Sequence, residues 1–152
     1  MKSIIILITG IFLSASYAQS LDTKDVPGIV KEKFNSNYTK AAHVKWTKEK
    51  TNYEASFRTG KKEMSVNFDL KGNIIETETE IKINDLPIEI INSISKNYSG
   101  YKITAAARIE SNGIITYEAE ITREKDKMDL IYDEHGVMKS YEKKDSRKGD
   151  KD

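Results

Sequence analysis

The residues of this chain that could do chemistry are carboxylates that alternate with other residues in extended segments. Alternate side chains of a β-strand project from one face, so these carboxylates should share one surface of a sheet. That surface is either solvated and neutralised across strands by basic residues, or it recognises a basic peptide or protein. The predicted binding carboxylates are Glu54, Glu63, Glu76, Glu78, Glu80, Glu118 and Glu120, with Asp129 on the same face and with Lys45, Arg58, Arg108 and Lys127 as neutralising partners.

Paired carboxylates can also act as catalytic acid and base, but the sequence does not favour such a reaction. A glycosidase needs a deep cleft around two carboxylates, and a thin sheet offers little depth. The sequence contains no Gly-rich phosphate loop, no nucleophile elbow and no cysteine. Its two histidines, His43 and His135, lack a second His at ligand spacing, which argues against a zinc site. We therefore predict a protein that is not an enzyme and that needs no metal or cofactor.

The elements that position the carboxylates occur twice along the chain. Val26-Pro27 returns as Leu86-Pro87, and Tyr53-Glu54-Ala55 returns as Tyr117-Glu118-Ala119. The offset between the copies is slightly larger at the tyrosines than at the prolines, so the second copy carries one short insertion. A repeat of this length indicates one supersecondary unit that has been duplicated.

Each copy predicts a helix followed by four antiparallel strands. Apolar residues recur at helical spacing after each proline, and Asp25 and either Asn84 or Asp85 are the predicted N-caps. The period then changes to two, with turns at Asn112-Gly113 and at the two Asp-x-x-Gly motifs, which we interpret as turns and not as calcium loops. The predicted strands are 43–48, 52–59, 62–69, 73–83, 102–110, 114–123, 127–133 and 137–141.

The fold class is therefore α+β, with two four-stranded sheets joined side by side and both helices on one face. The face under the helices should be apolar, and the other should be open, as antiparallel sheets permit. Trp46 lies in phase with Val44, so it either packs in the core or is an exposed aromatic anchor for a partner.

The N-terminal residues predict export, and the C-terminal residues predict a solvated tail. Residues 1–18 read as a signal peptide, with Ser16-Tyr17-Ala18 as the cleavage site and Gln19 as the first mature residue. Since there is no cysteine to carry a lipid, we expect a periplasmic or secreted protein without membrane insertion after cleavage. Residues 19–83 and 84–141 are the two predicted repeats, and residues 142–152 form a charged tail that should be disordered.

The net charge argues against two classes of partner. Without Lys2 the mature chain has 24 basic and 24 acidic residues. A neutral chain lacks the basic stripe that nucleic acids need, and it lacks the positive surface that anionic lipids attract.

The first copy contains Val44-x-Trp46, Tyr53-Glu54-Ala55-x-Phe57, Phe68-Asp69-x-x-Gly72 and Glu76-x-Glu78. The second copy contains Tyr98-x-Gly100-Tyr101, Tyr117-Glu118-Ala119-Glu120-Ile121 and Tyr132-Asp133-x-x-Gly136. This doubled pattern resembles the PepSY-like family of secreted Bacteroidetes proteins, which are described as beta-lactamase-inhibitor-like. The resemblance implies tandem α+β units whose joined sheet is a curved binding surface. It also implies binding or inhibition of another protein, such as a peptidase, without catalytic residues.

The sequence is therefore compatible with two functions. The first is a non-catalytic protein-binding module of the cell envelope, an inhibitor or regulator that uses the acidic sheet face. The alternative is a small-ligand carrier with a pocket between helices and sheet, although the large residues Phe34, Trp46, Phe57, Phe68 and Tyr132 should fill that space. The identity of the partner and the oligomeric state stay open.

Overall fold

A computed structural model describes residues 19–144 of the chain. In these residues, nine strands form one antiparallel sheet in which every strand pairs with its neighbours in sequence. The elements in chain order are β1 (Gln19–Leu21), α1 (Gly28–Asn37), β2 (Ala41–Glu49), β3 (Asn52–Thr59), β4 (Lys62–Phe68), β5 (Ile74–Ile81), α2 (Ile88–Asn97), β6 (Lys102–Ser111), β7 (Ile114–Arg123), β8 (Asp126–Asp133) and β9 (Met138–Lys144). The prediction of two helices and an antiparallel sheet is confirmed.

The sheet is longer at both ends than the sequence predicted. The short strand β1 pairs with the end of β2, placing Leu21 opposite Trp46. The charged tail was predicted to start at Glu142, but this is wrong for its first three residues, which complete β9. Backbone pairing with β8 places Glu142 opposite Asp129 and Lys144 opposite Lys127. The predicted signal peptide and residues 145–152 of the tail lie outside the described residues.

Both helices begin later than predicted because a short 3-10 turn precedes each one. Residues Thr23–Asp25 and Ile83–Asp85 form these turns, so none of Asp25, Asn84 and Asp85 caps a helix. Pro27 and Pro87 occupy the N-cap positions without a side-chain cap. The predicted caps are therefore wrong, whereas the prediction that each proline lies at the start of a helix is confirmed.

The two Asp-x-x-Gly motifs are turns, as predicted. The Asp69 carboxylate accepts hydrogen bonds from the backbone N–H of Lys71 and of Asn73, at 2.8 and 2.9 Å. Asp133 does the same for His135 and Val137, at 3.0 and 2.9 Å. Each carboxylate therefore stabilises the turn of the last hairpin in its repeat.

One face of the sheet packs against both helices. In the first half, Val30 and Phe34 of α1 are buried with Ala55 and Val66 of the sheet. In the second half, Ile90 and Ile94 of α2 are buried with Ala119 and Leu130. The pairing of β5 with β6 joins the two halves edge to edge.

Trp46 belongs to this core. It is 4% exposed, and its ring centroid lies 5.2 Å from that of Phe34 and 6.3 Å from that of Phe68. Trp46 is therefore packed between strand and helix, and it is not an exposed anchor for a partner. Alternation with Val44 placed it on the correct face, and burial by α1 decides between the two interpretations.

Gly136→Ala should destabilise the fold by about 2–3 kcal/mol. The glycine has φ of +76°, and an added Cβ would lie 2.8 Å from the backbone carbonyl of Glu89 in α2. Gly60→Ala is the matched control because Gly60 also has positive φ, +63°, but faces open space. Its expected cost is about 1 kcal/mol. Urea unfolding measures both variants, and equal losses would contradict the close approach of α2 to the turn.

Candidate functional site

The predicted carboxylates lie on the sheet face opposite the helices. Backbone register places Glu54 opposite Asn67 and Asn67 opposite Glu76. In the next row Ser56, Ser65 and Glu78 lie side by side, followed by Ile109 of β6. Because β5 joins the two halves, the carboxylates of both repeats lie on one continuous surface.

Three of these carboxylates are buried, which the sequence did not predict. Glu78, Glu118 and Asp129 are 4%, 3% and 5% exposed. Ala107 of β6 lies between Glu80 and Glu118, and Ile109 lies next to Glu78; both are also buried. The expectation of a fully solvated surface is therefore wrong at the centre of this face. Apolar side chains of β6 separate the carboxylates there, where alternation alone indicated only that the face is polar.

Burial changes the proton affinity of this group of acids. Burial, together with the charges of Glu118, Glu76, Glu54 and Asp129, raises the pKa of Glu78 to about 9. Burial and the neighbouring Asp129 raise the pKa of Glu118 to about 7. Burial likewise raises the pKa of Asp129 and of Glu76. Glu78 is therefore protonated at neutral pH.

Several buried oxygens of this face have no hydrogen-bond partner among the described residues. They are Glu78 Oε2, Glu118 Oε2, Asp129 Oδ1 and Ser65 Oγ. Leaving one such group unsatisfied costs roughly 1–3 kcal/mol. A face that carries four of them is less stable than an apolar one would be, so it needs a functional explanation.

Two lysines pair with two of the carboxylates of the second repeat. Lys127 Nζ lies 2.6 Å from Glu120 Oε2, and Lys144 Nζ lies 2.5 Å from Asp129 Oδ2. Partial burial would raise the pKa of Glu120, but hydrogen bonds from Lys127 and Thr104 hold it below its ordinary value. The predicted pairing of Lys127 across strands is confirmed.

The first repeat has a hollow at the equivalent place. Ser56 and Ser65 are short side chains in adjacent strands, and the longer glutamates around them leave a cavity of about 80 Å³. Glu54, Glu63, Glu78 and Glu80 line it. Glu78 and Ser65 each bring one of the unpartnered buried oxygens to this lining.

The rim of the hollow is more accessible. Glu63 is exposed and pairs with Arg58, as predicted, at 2.5 Å between Arg58 Nη2 and Glu63 Oε1. Glu80 is also exposed, and its carboxylate accepts a hydrogen bond from the backbone N–H of Glu63 at 3.3 Å. Glu54 is half-buried and accepts a hydrogen bond from the hydroxyl of Thr47 at 3.0 Å.

Arg108 does not neutralise this face, contrary to the prediction. It lies opposite Tyr117 and shares the helix side of β6 with Ala106, where it pairs with Glu110 at 3.0 Å. Lys45 lies opposite Ser56 and is exposed. The first repeat is therefore less well neutralised on its acidic face than the second.

The described residues contain no group of three or more His, Asp or Glu side chains that could hold a metal ion. Nor does residue range 19–144 include a helix long and apolar enough to cross a membrane. His43 and His135 lie at the surface, in a strand bulge and in a hairpin turn.

Comparison with known families decides the classification. The model of a family described as "Putative beta-lactamase-inhibitor-like, PepSY-like" matches residues 13–76 and 52–140, which together make up more than half of the chain. The chain belongs to the PepSY-like family. Two overlapping matches to one family agree with the internal repeat seen in the sequence. No curated protein matches this PepSY-like chain.

Solved structures from Bacteroides share the fold of this PepSY-like protein. A DUF2874 family protein from Bacteroides uniformis has a TM-score of 0.70 at 17% identity, over 78% of this chain and 89% of that chain. A protein from Bacteroides eggerthii that is described as periplasmic has a TM-score of 0.71 at 15% identity, over 78% and 88%. A BLIP-like protein from Bacteroides fragilis has a TM-score of 0.63 at 21% identity, over 77% and 85%. At these identities the similarity shows the fold alone.

Sequence reasoning missed Ser65 and Lys144 as members of the site. Ser65 gave no signal, because a serine in a polar strand is ordinary. Lys144 was assigned to the tail. Aligning the two copies at Tyr53 and Tyr117 would have shown that Lys144 corresponds to Glu80, and Lys127 to Glu63.

Proposed function

We propose that this protein is a non-catalytic binding module of the cell envelope, which captures a basic segment of another protein on its acidic sheet face. The observation that carries the proposal is the set of buried carboxylates with unpartnered oxygens on that face. Their burial lowers the stability of the free protein, and a partner that supplied hydrogen-bond donors would remove that cost. Perturbed carboxylates of this kind are enriched at functional sites.

The electrostatics of the face favour a cationic partner. Glu76 and Glu80 flank Glu78 on one strand, and Glu80 is exposed. A surface of one sign attracts an oppositely charged partner, speeds encounter and makes binding sensitive to salt. Rim carboxylates would guide the partner, and the buried ones would contact it after docking.

Carboxylates with raised pKa also occur in hydrolases as general acids, but the dimensions here argue for binding. Ligand pockets usually measure about 300–1,000 Å³. The hollow of about 80 Å³ has room for the end of one side chain and not for a sugar ring. The residues that line it include no histidine that could activate a serine.

The finer form of the proposal is an inhibitor or regulator of an envelope protein such as a peptidase. The family's description as beta-lactamase-inhibitor-like supports it, as does the BLIP-like structural neighbour. A periplasmic location is supported by the neighbour that is described as periplasmic and by the predicted signal peptide. The alternative of a small-ligand carrier has less support, because buried aromatic side chains fill the layer between helices and sheet.

An affinity column carrying the mature protein tests the proposal against envelope extract. The wild type should retain a stoichiometric partner at about 50 mM salt and release it near 500 mM. Glu76→Gln/Glu80→Gln should weaken retention about three- to tenfold, because both carboxylates face the partner. Glu32→Gln/Glu89→Gln removes the same charge from exposed positions on the helices and should retain the partner fully. Equal retention by both double variants would show that the acidic face does not bind it.

A further inference from the structure

The two repeats differ in charge at equivalent positions around the hollow. When the copies are aligned at Tyr53 and Tyr117, the cross-strand pair Ser65 and Glu78 falls on the cross-strand pair Asp129 and Glu142. The same alignment places Lys127 at the position of Glu63 and Lys144 at the position of Glu80. The second repeat therefore has two lysines where the first has two glutamates.

In the second repeat these lysines offset part of the cost of burying the acids. The ammonium group of Lys144 contacts Asp129 at 2.5 Å, and that of Lys127 contacts Glu120 at 2.6 Å. The charge of Lys144 also counteracts the burial that raises the pKa of Glu118. The second repeat thus shows how lysine ammonium groups pair with carboxylates on this face of the sheet.

In the first repeat the acceptors are present without the lysines. Four of the described residues that line the hollow are glutamates, and no basic residue is among those that line it. Glu78 is 4% exposed and Ser65 is 9% exposed, and both carry oxygens that lack a partner. Arg58 is held at the rim by Glu63.

We propose that the hollow among Ser65, Glu78 and Glu80 receives a lysine side chain of the partner, whose ammonium group takes the place that Lys127 and Lys144 occupy in the second repeat. This inference rests on the proposed function, and it names the group that is recognised. Ser65 Oγ and Glu78 Oε2 would each accept one N–H, and the Glu80 carboxylate would accept the third.

The size and shape of the hollow favour lysine over arginine. An ammonium group is compact and has three donors on one atom, whereas a guanidinium is a planar fork with five donors. A cavity of about 80 Å³ with two buried acceptors matches the smaller group. Arginine would instead be held at the rim by exposed carboxylates.

Binding of the ammonium group should release a proton. Glu78 is neutral in the free protein, and a cation within hydrogen-bond distance favours its charged form. Affinity should therefore rise with pH between about 7 and 9 and fall as the lysine itself loses its charge near 10. A surface ion pair with an already charged carboxylate would show no such rise.

The test uses the mature protein and three capped tetrapeptides, made of lysine, arginine or acetyl-lysine. Backbone NMR titration should show saturable shifts at Ser65 and Glu78 with tetralysine, and shifts confined to rim residues such as Glu63 with tetra-arginine. The acetyl-lysine peptide lacks the positive charge, so it should shift the signals of neither the hollow residues nor the rim residues. Glu78→Gln should weaken tetralysine about tenfold and abolish the rise of affinity with pH. Glu89→Gln, an exposed acid on α2, is the control and should leave both unchanged.

Each other outcome overturns a different statement. If tetralysine and tetra-arginine bind with equal affinity, both to the wild type and to Glu78→Gln, the lysine site is wrong and the proposed function still stands. If micromolar calcium shifts the backbone NMR signals of Ser65 and Glu78, the hollow is a metal site and the inference is wrong. Absence of any peptide shift, together with equal retention of the envelope partner by Glu76→Gln/Glu80→Gln and its control, would overturn both proposals.

Discussion

Glu78→Gln should raise the free energy of unfolding by about 4–5 kcal/mol at pH 8 and by less than about 1 kcal/mol at pH 5. Burial raises the pKa of Glu78 from 4.5 to about 9 in the folded protein. Between those two values the folded state keeps a proton that the unfolded state loses. Stability of the wild type must therefore fall as pH rises through this window, and glutamine has no charge to desolvate.

Charged groups on four other strands, as well as on β5 itself, lie near Glu78 and enter this prediction. Those on its own strand are Glu76 and Glu80; the others are Glu54 of β3, Glu63 of β4, Glu118 of β7 and Asp129 of β8. Lys144 of β9 acts on Glu118 and Asp129, and Glu120 and Lys127 act on Asp129. From β6 it meets the uncharged Ile109 and Ala107. Because acids predominate nearest to Glu78, the neighbours reinforce the effect of burial.

Urea unfolding from pH 5 to pH 9 provides the measurement. Wild type and the Glu89→Gln control should lose stability in parallel as pH rises, and Glu78→Gln should lose much less. A wild type whose stability is constant or rises from pH 5 to pH 8 would contradict the burial of this carboxylate.

Phe34→Ala should destabilise the protein by about 3–5 kcal/mol. Phe34 is 4% exposed and lies at the centre of the first core, where its ring meets those of Trp46 and Phe57 at centroid distances of 5.2 and 5.1 Å. Truncation would remove these edge contacts and leave a cavity that the surrounding rings cannot close.

Ile29→Ala is the matched control on the same helix. Ile29 is 54% exposed, so its truncation should cost less than about 0.5 kcal/mol. Thermal and urea unfolding distinguish the two variants. A loss below about 1 kcal/mol for Phe34→Ala would mean that α1 does not pack on the sheet as described.

The sequence predicted the sheet well wherever local signals agreed. The strands Asn52–Thr59 and Ile114–Arg123 have the predicted bounds, because alternation and strong turn residues mark both ends. Asn112 and Gly113 have positive φ, as the hairpin signal required. The Glu side chains of the candidate site share one face because strand periodicity fixes the face of each residue.

The features that sequence could not predict depend on tertiary contacts. Burial of Glu78 and Glu118 depends on which residues β6 places between them, and the order of strands in the sheet decides that. Glu142–Lys144 look like a solvated tail, yet pairing with β8 and the contact of Lys144 with Asp129 order them. The 3-10 turns before each helix move the helix starts past the acids that resembled caps.

The central claim is that the acidic face holds protonated carboxylates that become charged when a basic partner binds. Carbon-13 NMR of the Glu78 side-chain carboxyl, titrated with pH in the free and tetralysine-bound protein, tests it most directly. In the free protein this carboxyl should titrate with a pKa of about 9. In the complex the pKa of Glu78 should be lower by at least about one unit. An ordinary glutamate titration near 4.5 in the free protein, or the same high value with and without saturating peptide, would contradict the account.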